Sequence, residues 1–215
     1  MIKKLILLGA ISGSLLSFAQ QQKISIMPSV GYAWRVAETP SGLSREEKDY
    51  VKGLKNGVHF DISAYYNLRS VGIGFKFSNY NASSNGWISG FDNNGTMVSV
   101  PVSTKDNITF FGPSVMYSNY NEPTKHKLFV DLALGVISYT TKTGSIKGTG
   151  SNLGLDAGFG YQYEVSKNFM IGPKVGITGG TLNKMKFNGM TYEFGDNEKE
   201  GLTRISLSAA ATFRF

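Results

Sequence analysis

The sequence contains no cysteine and, after its first residues, no long apolar run. Without cysteine the chain has neither disulfides nor thiolate metal ligands, so its stability must come from hydrogen bonding and packing. The one apolar stretch, from Leu5 to Leu16, is too short for a spanning helix, which needs roughly 20 apolar residues. These absences exclude a helical membrane protein.

Clustered basic residues are also lacking, although the formal charge is +7. The basic side chains are scattered singly, without the stripe that nucleic-acid binding requires, so no nucleic-acid partner is expected. Metal and cofactor motifs are equally poor, and we expect no metal site and no cofactor. If Lys3 and Lys4 are removed with a leader, the charge falls by two, from +7 to +5.

The N-terminus has the order of a secretory signal. Lys3 and Lys4 precede the apolar stretch, which ends in Ser17-Phe18-Ala19 before three glutamines. We predict cleavage after Ala19, so that residues 1–19 are a signal peptide and residues 20–215 form one β-barrel domain. No cysteine follows the predicted cut, which disfavours a lipid-anchored lipoprotein.

The remaining sequence alternates between apolar and polar residues with a period of two, which is typical of β-strands with one buried or lipid-facing side. In the last segment one face carries Ile205, Leu207, Ala209, Ala211, Phe213 and Phe215, and the other carries Arg204, Ser206, Ser208, Ala210, Thr212 and Arg214. A membrane strand with lipid outside and a polar interior has this pattern, although a soluble β-sandwich also alternates.

Loop lengths favour the membrane interpretation. The pattern predicts strands near residues 24–36, 57–68, 71–80, 107–118, 127–140, 151–165, 169–180 and 201–215. Short connections such as Arg69-Ser70 alternate with long ones, as periplasmic turns alternate with extracellular loops in outer-membrane barrels. The sequence therefore predicts an all-β fold, an eight-stranded antiparallel up-and-down transmembrane β-barrel.

Three smaller features carry local predictions. Pro28, Pro113 and Pro173 fall inside strands, and proline lacks the ladder donor, so we expect bulges there. Ser44-Arg-Glu-Glu47 predicts a capping box that begins a short helix. Asn188-Gly189 predicts a hairpin tip above the membrane.

Charged residues fall on the predicted interior face of most strands. Because an eight-stranded barrel has room only for side chains, buried charges of both signs must pair, and we predict an internal ion-pair network in which Asp61 lies diagonal to Lys76. Its predicted members are Arg35, Asp61, Lys76, Asp131, Asp156, Glu164, Lys174, Arg204 and Arg214. His59 and Ser63 share this face with Asp61, but all three point away from lipid, so no catalytic residue is assigned.

The last strand ends on the aromatic Phe215, with Phe213 and further apolar residues at alternate positions before it. In these features the chain resembles the broad family of small bacterial outer-membrane β-barrel proteins of the OmpA and OmpX type. The resemblance implies the outer membrane as location, outer-membrane lipid and lipopolysaccharide as surroundings, and Phe213 and Phe215 as the signal that the barrel-assembly machinery recognises.

Function is less readable than fold. The leading hypothesis is a non-enzymatic barrel whose lumen is filled by a polar and charged network and whose loops meet an extracellular partner, for envelope integrity or adhesion. The alternatives are a narrow channel for small or apolar solutes, an enzyme that modifies envelope lipids, and a soluble β-barrel that binds a ligand.

Overall fold

The computed structural model describes residues 22–37, 39, 42–91, 94–195 and 199–215. The predicted signal peptide lies outside the described residues and stays a prediction. The elements in chain order are β1 (Ile24–Arg35), α1 (Arg45–Lys55), β2 (Asn56–Leu68), β3 (Val71–Phe91), β4 (Met97–Ser118), β5 (His126–Thr143), β6 (Ile146–Ser166), β7 (Phe169–Leu182), β8 (Lys184–Phe187), β9 (Met190–Glu193), β10 (Glu200–Gly201) and β11 (Arg204–Arg214).

Eight of these strands form a closed ring. Strands β1 to β7 pair antiparallel in chain order, and β11 pairs with both β7 and β1. At the closure the Ile24 N–H donates to the Phe215 carbonyl (3.1 Å), and the Phe215 N–H donates to the Ile24 carbonyl (2.9 Å). The predicted eight-stranded antiparallel barrel is confirmed.

Strands on the long-loop side extend beyond their predicted ends. The predicted loop between β3 and β4 is a continuation of the same hairpin, paired from Asn81 opposite Asn107 to Phe91 opposite Met97. Strands β5 and β6 likewise continue to the two-residue turn Gly144-Ser145. Serine, asparagine and glycine give these segments the composition of loops, but cross-strand pairing satisfies their backbone and keeps them extended.

The prediction of bulges at the prolines is wrong. Ladder pairing is interrupted beside each proline, but the register is the same before and after it. Among the described strand pairs, the register shifts only between Glu164 and Ser166 in β6. Proline removes one donor from the ladder, and the hydrogen bonds on both sides of the gap hold the alignment.

Both local predictions on the long-loop side are confirmed. Helix α1 has a capping box, in which the Glu47 N–H donates to the Ser44 hydroxyl (3.2 Å) and the Ser44 N–H donates to the Glu47 carboxylate (2.9 Å). Asn188 and Gly189 join β8 to β9 with positive φ angles of 47° and 91°, as a tight hairpin turn requires. Among the described residues, no helix is long and apolar enough to cross a membrane.

The outer surface of the ring carries an apolar belt. Every strand of the ring exposes large apolar side chains there, for example Val30, Phe60, Phe75, Val115, Leu132, Phe159, Val175 and Leu207. Exposed aromatic residues at the short-turn rim include Tyr66, Tyr117, Tyr163 and Phe213. Such a belt with aromatic residues at its edge is the lipid-facing surface of a transmembrane barrel.

The interior contains two apolar clusters. The upper cluster, toward the long loops, consists of Ala33, Tyr80, Ala82, Ile108, Phe110, Ala133, Ile137, Tyr139, Leu182, Met185 and Leu202. The lower cluster, toward the short turns, consists of Met27, Tyr65, Met116, Tyr120, Phe129, Met170 and Ala210. The Phe129 ring packs so closely on Gly160 that a Cβ there would lie 2.3 Å from it. Between the two clusters the interior is polar.

Candidate functional site: the filled lumen

The polar layer between the two clusters is built on Lys76 and Lys174. The Lys76 ammonium contacts the carboxylates of both Asp131 and Asp156. The Lys174 ammonium lies 2.9 Å from Asp61 and 3.8 Å from Asp131. All five side chains are buried, so each ion pair lies in a medium of low dielectric, where removal of one partner is costly.

Neutral hydrogen bonds complete this layer. The Ser29 hydroxyl donates to Asp61 (2.6 Å) and the Thr178 hydroxyl donates to Asp156 (2.6 Å). Arg204, fully buried at the top of the layer, donates to the Ser78 hydroxyl (2.9 Å) and lies over the Tyr80 ring at 6.0 Å. The layer, defined by its six charged residues, holds three acids and three bases and is electrically neutral: Asp61, Asp131, Asp156, Lys76, Lys174 and Arg204.

A second group of charges lies at the upper mouth. The Arg35 guanidinium lies 2.5 Å from Glu200 and 3.4 Å from Asp106, and it also donates to the Gly201 carbonyl (2.8 Å). Its guanidinium carbon lies 5.3 Å from the centre of the Tyr139 ring. Arg35 therefore ties β1 to β4 and to the segment just before β11, above the upper cluster.

The third group lies at the lower mouth. Lys127 contacts Glu164 (2.9 Å) and donates to the carbonyls of Tyr120 (3.1 Å) and Glu122 (2.8 Å). Arg214 donates to the Tyr120 carbonyl (2.8 Å) and to the Asn121 side chain (2.6 Å). Two cations thus hold the β4–β5 turn against the opening of the barrel.

The nine residues that the sequence assigned to the lumen are therefore distributed over three levels. Six of them form the polar layer, Arg35 lies at the upper mouth, and Glu164 and Arg214 lie at the lower mouth. Asp61 is diagonal to Lys76 as expected from the register, but its ion pair is with Lys174 across the lumen. Alternation along one strand shows whether a side chain points inward. Which side chains meet across the lumen depends on how the barrel closes.

Sequence reasoning placed His59 on the inward face but missed three charged partners: Asp106, Lys127 and Glu200. Asp106 and Lys127 both have the interior phase of β4 and β5. Asp106 lies one residue before the predicted strand 107–118, and Lys127 is the first residue of the predicted strand 127–140. The two apolar clusters were missed as well. Adjacent Phe110 and Phe111 were a signal, because two successive strand residues point to opposite faces and one phenyl ring had to point inward.

The arrangement of His59, Asp61 and Ser63 does not match a nucleophile and its base. His59 Nε2 lies 3.2 Å from Asp61, which is already bound to Lys174. The Ser63 hydroxyl has no hydrogen-bond partner among the described residues. All three side chains are buried between the apolar clusters.

The last strand places the predicted assembly residues at the short-turn rim. The Phe213 ring is 41% exposed on the lipid-facing side and lies 5.1 Å from the Phe169 ring. Phe215 is bound through its backbone to Ile24. Recognition of Phe213 and Phe215 by the barrel-assembly machinery stays a prediction.

Above the belt, the outer surface carries three lysines side by side. Lys105, Lys142 and Lys147 are directly opposite one another on β4, β5 and β6, so they share one face, and all are exposed. No ion pair involves this lysine row among the described residues. Directly below it, the Asn107 amide donates to the Asn81 side chain (2.7 Å) in an outward-facing polar band at the top of the belt.

Solved structures with the same architecture include Neisserial surface protein A, with a TM-score of 0.56 at 14% identity, covering 90% of this chain and 97% of that chain. The chain has the fold of a small outer-membrane β-barrel protein. A major outer membrane protein from Thermus thermophilus matches this barrel with a TM-score of 0.51 at 12% identity, covering 90% of this chain and 98% of that one. No family model and no curated protein matches it.

The apolar belt and the fold together indicate where in the cell the barrel lies. A closed barrel with lipid-facing apolar residues on every strand requires a bilayer, and single-chain barrels of this kind span bacterial outer membranes. In outer-membrane barrels the short turns are periplasmic and the longer loops extracellular. On that rule the short-turn rim is named the periplasmic rim and the long-hairpin rim the extracellular rim, and this orientation stays a prediction.

Proposed function

We propose that this chain is a non-enzymatic outer-membrane barrel that presents its long hairpins outside the cell, for envelope integrity or adhesion. The observation that carries the proposal is the filled lumen, in which the polar layer lies between two apolar clusters. An eight-stranded barrel leaves interior room only for side chains, and buried side chains take up that room at each level. With the lumen filled, contacts with partners outside the cell fall to the extracellular surface.

The β3–β4 hairpin is the longest part of that surface. Above the lysine row it continues from Ser83 opposite Lys105 to Phe91 opposite Met97, and these residues span roughly 25 Å of paired strand. Helix α1 packs beside its lower part, where the Tyr50 hydroxyl lies 2.5 Å from the Thr104 hydroxyl. A paired hairpin supported by a helix suits presentation of a binding surface, because little conformational entropy remains to be lost on binding.

The lysine row supports anchoring in lipopolysaccharide. Like charges directly opposite one another on neighbouring strands repel. An anion bound beside the row of Lys105, Lys142 and Lys147 would offset that repulsion. On β5, Lys142 follows the last belt residue, Val136, by six residues, roughly 15 Å along the membrane normal for a tilted strand. The row therefore lies beyond the hydrocarbon core, on the side of the outer-leaflet headgroups and sugars.

The presentation role is tested by shortening the hairpin. Replacement of residues 86–102 by Asn-Gly leaves Asn85 and Ser103 joined by a two-residue turn. We expect normal outer-membrane insertion, with loss of the surface adhesion or detergent resistance that the wild-type protein restores to a deletion strain. If the shortened protein restores both as well as the wild type does, the hairpin has no part in the function.

Anchoring is tested with the triple variant Lys105→Gln/Lys142→Gln/Lys147→Gln. We expect lipopolysaccharide in the vesicles to raise the unfolding midpoint of the wild-type protein and to have little effect on this variant. The matched control, Arg45→Gln/Lys48→Gln/Lys52→Gln, removes three charges from exposed positions of α1 and should respond like the wild type. An equal response of both variants would exclude the row as the anchor.

A further inference from the structure

The periplasmic mouth contains a cavity of about 570 Å³, on the opposite side of the membrane from the presented hairpins. Its lining includes five basic and two acidic side chains, an excess of three positive charges: Lys23, Arg69, Lys127, Lys167, Arg214, Glu122 and Glu164. A volume of several hundred Å³ is the size at which small organic ligands are bound.

Arg214 is the central cation of this periplasmic cavity. Only 2% of its surface is exposed, and its hydrogen bonds go to the Tyr120 carbonyl, the Asn121 side chain and, at 3.4 Å, the Gln22 carbonyl. These acceptors are neutral, and its Nε has no partner among the described residues. Buried charges are normally paired with an opposite charge, and Arg214 has none within 4.0 Å in the described part of the chain.

The acids of the cavity do not supply that charge. Glu164 is bound to Lys127, its ion-pair partner at 2.9 Å. Glu122 contributes its backbone carbonyl to Lys127. Lys23, Arg69 and Lys167 are exposed and take part in no ion pair among the described residues, so the positive excess remains on the cavity wall.

The cavity is closed toward the lumen. Tyr120 lines it and belongs to the lower cluster, and its ring lies 5.6 Å from the Arg214 guanidinium carbon. Its side chain is 3% exposed, and the turn that carries it is held in the mouth by Arg214 and Lys127. A ligand therefore enters and leaves on the periplasmic side without crossing the barrel.

We propose that the periplasmic cavity is a binding site for a small organic anion, recognised through a carboxylate or a phosphate group by Arg214. The Nε–H has no acceptor among the described residues, and a guanidinium N–H donates to an oxygen of either group in a charge-assisted hydrogen bond. The amides of Gln22, Asn67 and Asn121 line the same cavity and supply neutral hydrogen bonds to the rest of the ligand.

The test uses the full chain folded in detergent micelles and titrated with sodium phosphate or with the dipeptide Ala-Glu, against sodium chloride at equal ionic strength. We expect saturable NMR shifts at Tyr120, Asn121 and the Arg214 Nε–H with phosphate, with the dipeptide or with both, and the stronger probe identifies the group that is recognised. Chloride should not reproduce them. The absence of saturation with both probes would overturn the proposal.

Variants assign the binding to this cavity. Arg214→Gln should weaken it roughly tenfold or more, since the charge of the guanidinium and a charge-assisted hydrogen bond are lost. If that variant does not fold, Arg69→Gln/Lys167→Gln removes two exposed charges and should weaken binding several-fold in a folded barrel. Lys48→Gln/Lys52→Gln, at the extracellular rim, is the matched control and should bind like the wild type. Equal affinity of all three variants would contradict the site.

Discussion

Lys76 is the residue on which the polar layer depends most, because its one ammonium group contacts two buried carboxylates. In Lys76→Met, Asp131 keeps only the more distant Lys174 and Asp156 keeps the Thr178 hydroxyl. We expect the free energy of unfolding to fall by about 3–5 kcal/mol, the cost of leaving a buried charge unpaired. Urea unfolding in vesicles, followed by tryptophan fluorescence, measures this loss.

Two controls separate charge from packing in that experiment. Lys52→Met, on the exposed surface of α1, should change stability by no more than about 0.5 kcal/mol. Lys76→Met/Asp156→Asn removes one charge of each sign and should recover part of the loss. If Lys76→Met alone is as stable as the wild type, the layer is solvated and our description of it is wrong.

At the scale of residues, alternation predicted which side chains point inward but not which of them meet. Asp61 and Lys76 are neighbours in one hairpin, and their spacing was readable from the sequence. The contact between Asp61 and Lys174 joins β2 to β7 across the lumen. That distance depends on how the ring closes and staggers, which no single hairpin specifies.

At the scale of elements, α1 depends on its capping box at the extracellular end. Hydrogen bonds from the backbone and side chain of Ser44 lower the pKa of the Glu47 carboxyl, so the ionised form favours the helix. This stabilisation is present above the ordinary pKa of glutamate and is lost as the pH falls through the lowered value. Amide exchange of residues 45–55 should therefore lose protection below about pH 4, while the barrel stays folded.

Ser44→Ala tests the same cap at neutral pH. Loss of an N-cap costs about 1 kcal/mol, so exchange of the α1 amides should accelerate roughly fivefold. Amides of the ring strands serve as the internal control and should not change. Uniform acceleration throughout the barrel would show that α1 is coupled to the ring instead of opening by itself.

The cost of a charged residue on the lipid-facing surface should depend on its depth in the membrane. Leu132 is 52% exposed in the middle of the belt on β5, and Thr140 lies on the same face above it. Leu132→Arg should reduce the free energy of unfolding in a bilayer by about 2–4 kcal/mol, and Thr140→Arg should reduce it by no more than about 1 kcal/mol. Folding titrations in lipid vesicles give both values. Equal costs would mean that the belt does not face lipid.

Element lengths were predictable only inside the membrane. Between the rims, lipid on one side and the lumen on the other force strict alternation, and the predicted ends near Leu68 and Val71 match the structure. Above the belt both faces of β3 and β4 meet water, so alternation disappears although pairing continues. The hairpin was therefore mistaken for a loop.

At the scale of the whole molecule, ring closure and filling of the lumen are separate properties. The sequence predicted the closure well and the composition of the interior only in part. Eight alternating segments with short and long connections predicted the ring. The interior was predicted to be polar throughout, whereas apolar clusters occupy its two ends. Inward aromatic residues such as Tyr65 and Phe110 are indistinguishable by composition from lipid-facing ones, and only their phase in the alternation separates the two sets.

These clusters support the proposal that the barrel does not conduct ions. An ion that crosses would have to pass the upper cluster, the neutral polar layer and the lower cluster, each built of buried side chains. Desolvation of an ion in such an interior costs many times the thermal energy. Among the described residues, buried side chains thus separate the extracellular hairpins from the periplasmic cavity.

Conductance across a planar bilayer tests most directly whether the filled lumen blocks the passage of ions. The wild-type protein, inserted from detergent beside a protein-free membrane and a general porin as controls, should give no current steps above the baseline in concentrated potassium chloride. Insertion is verified in parallel by recovery of the folded protein from the bilayer lipid. Reproducible current steps from the folded wild-type protein would contradict the filled lumen and would favour a channel.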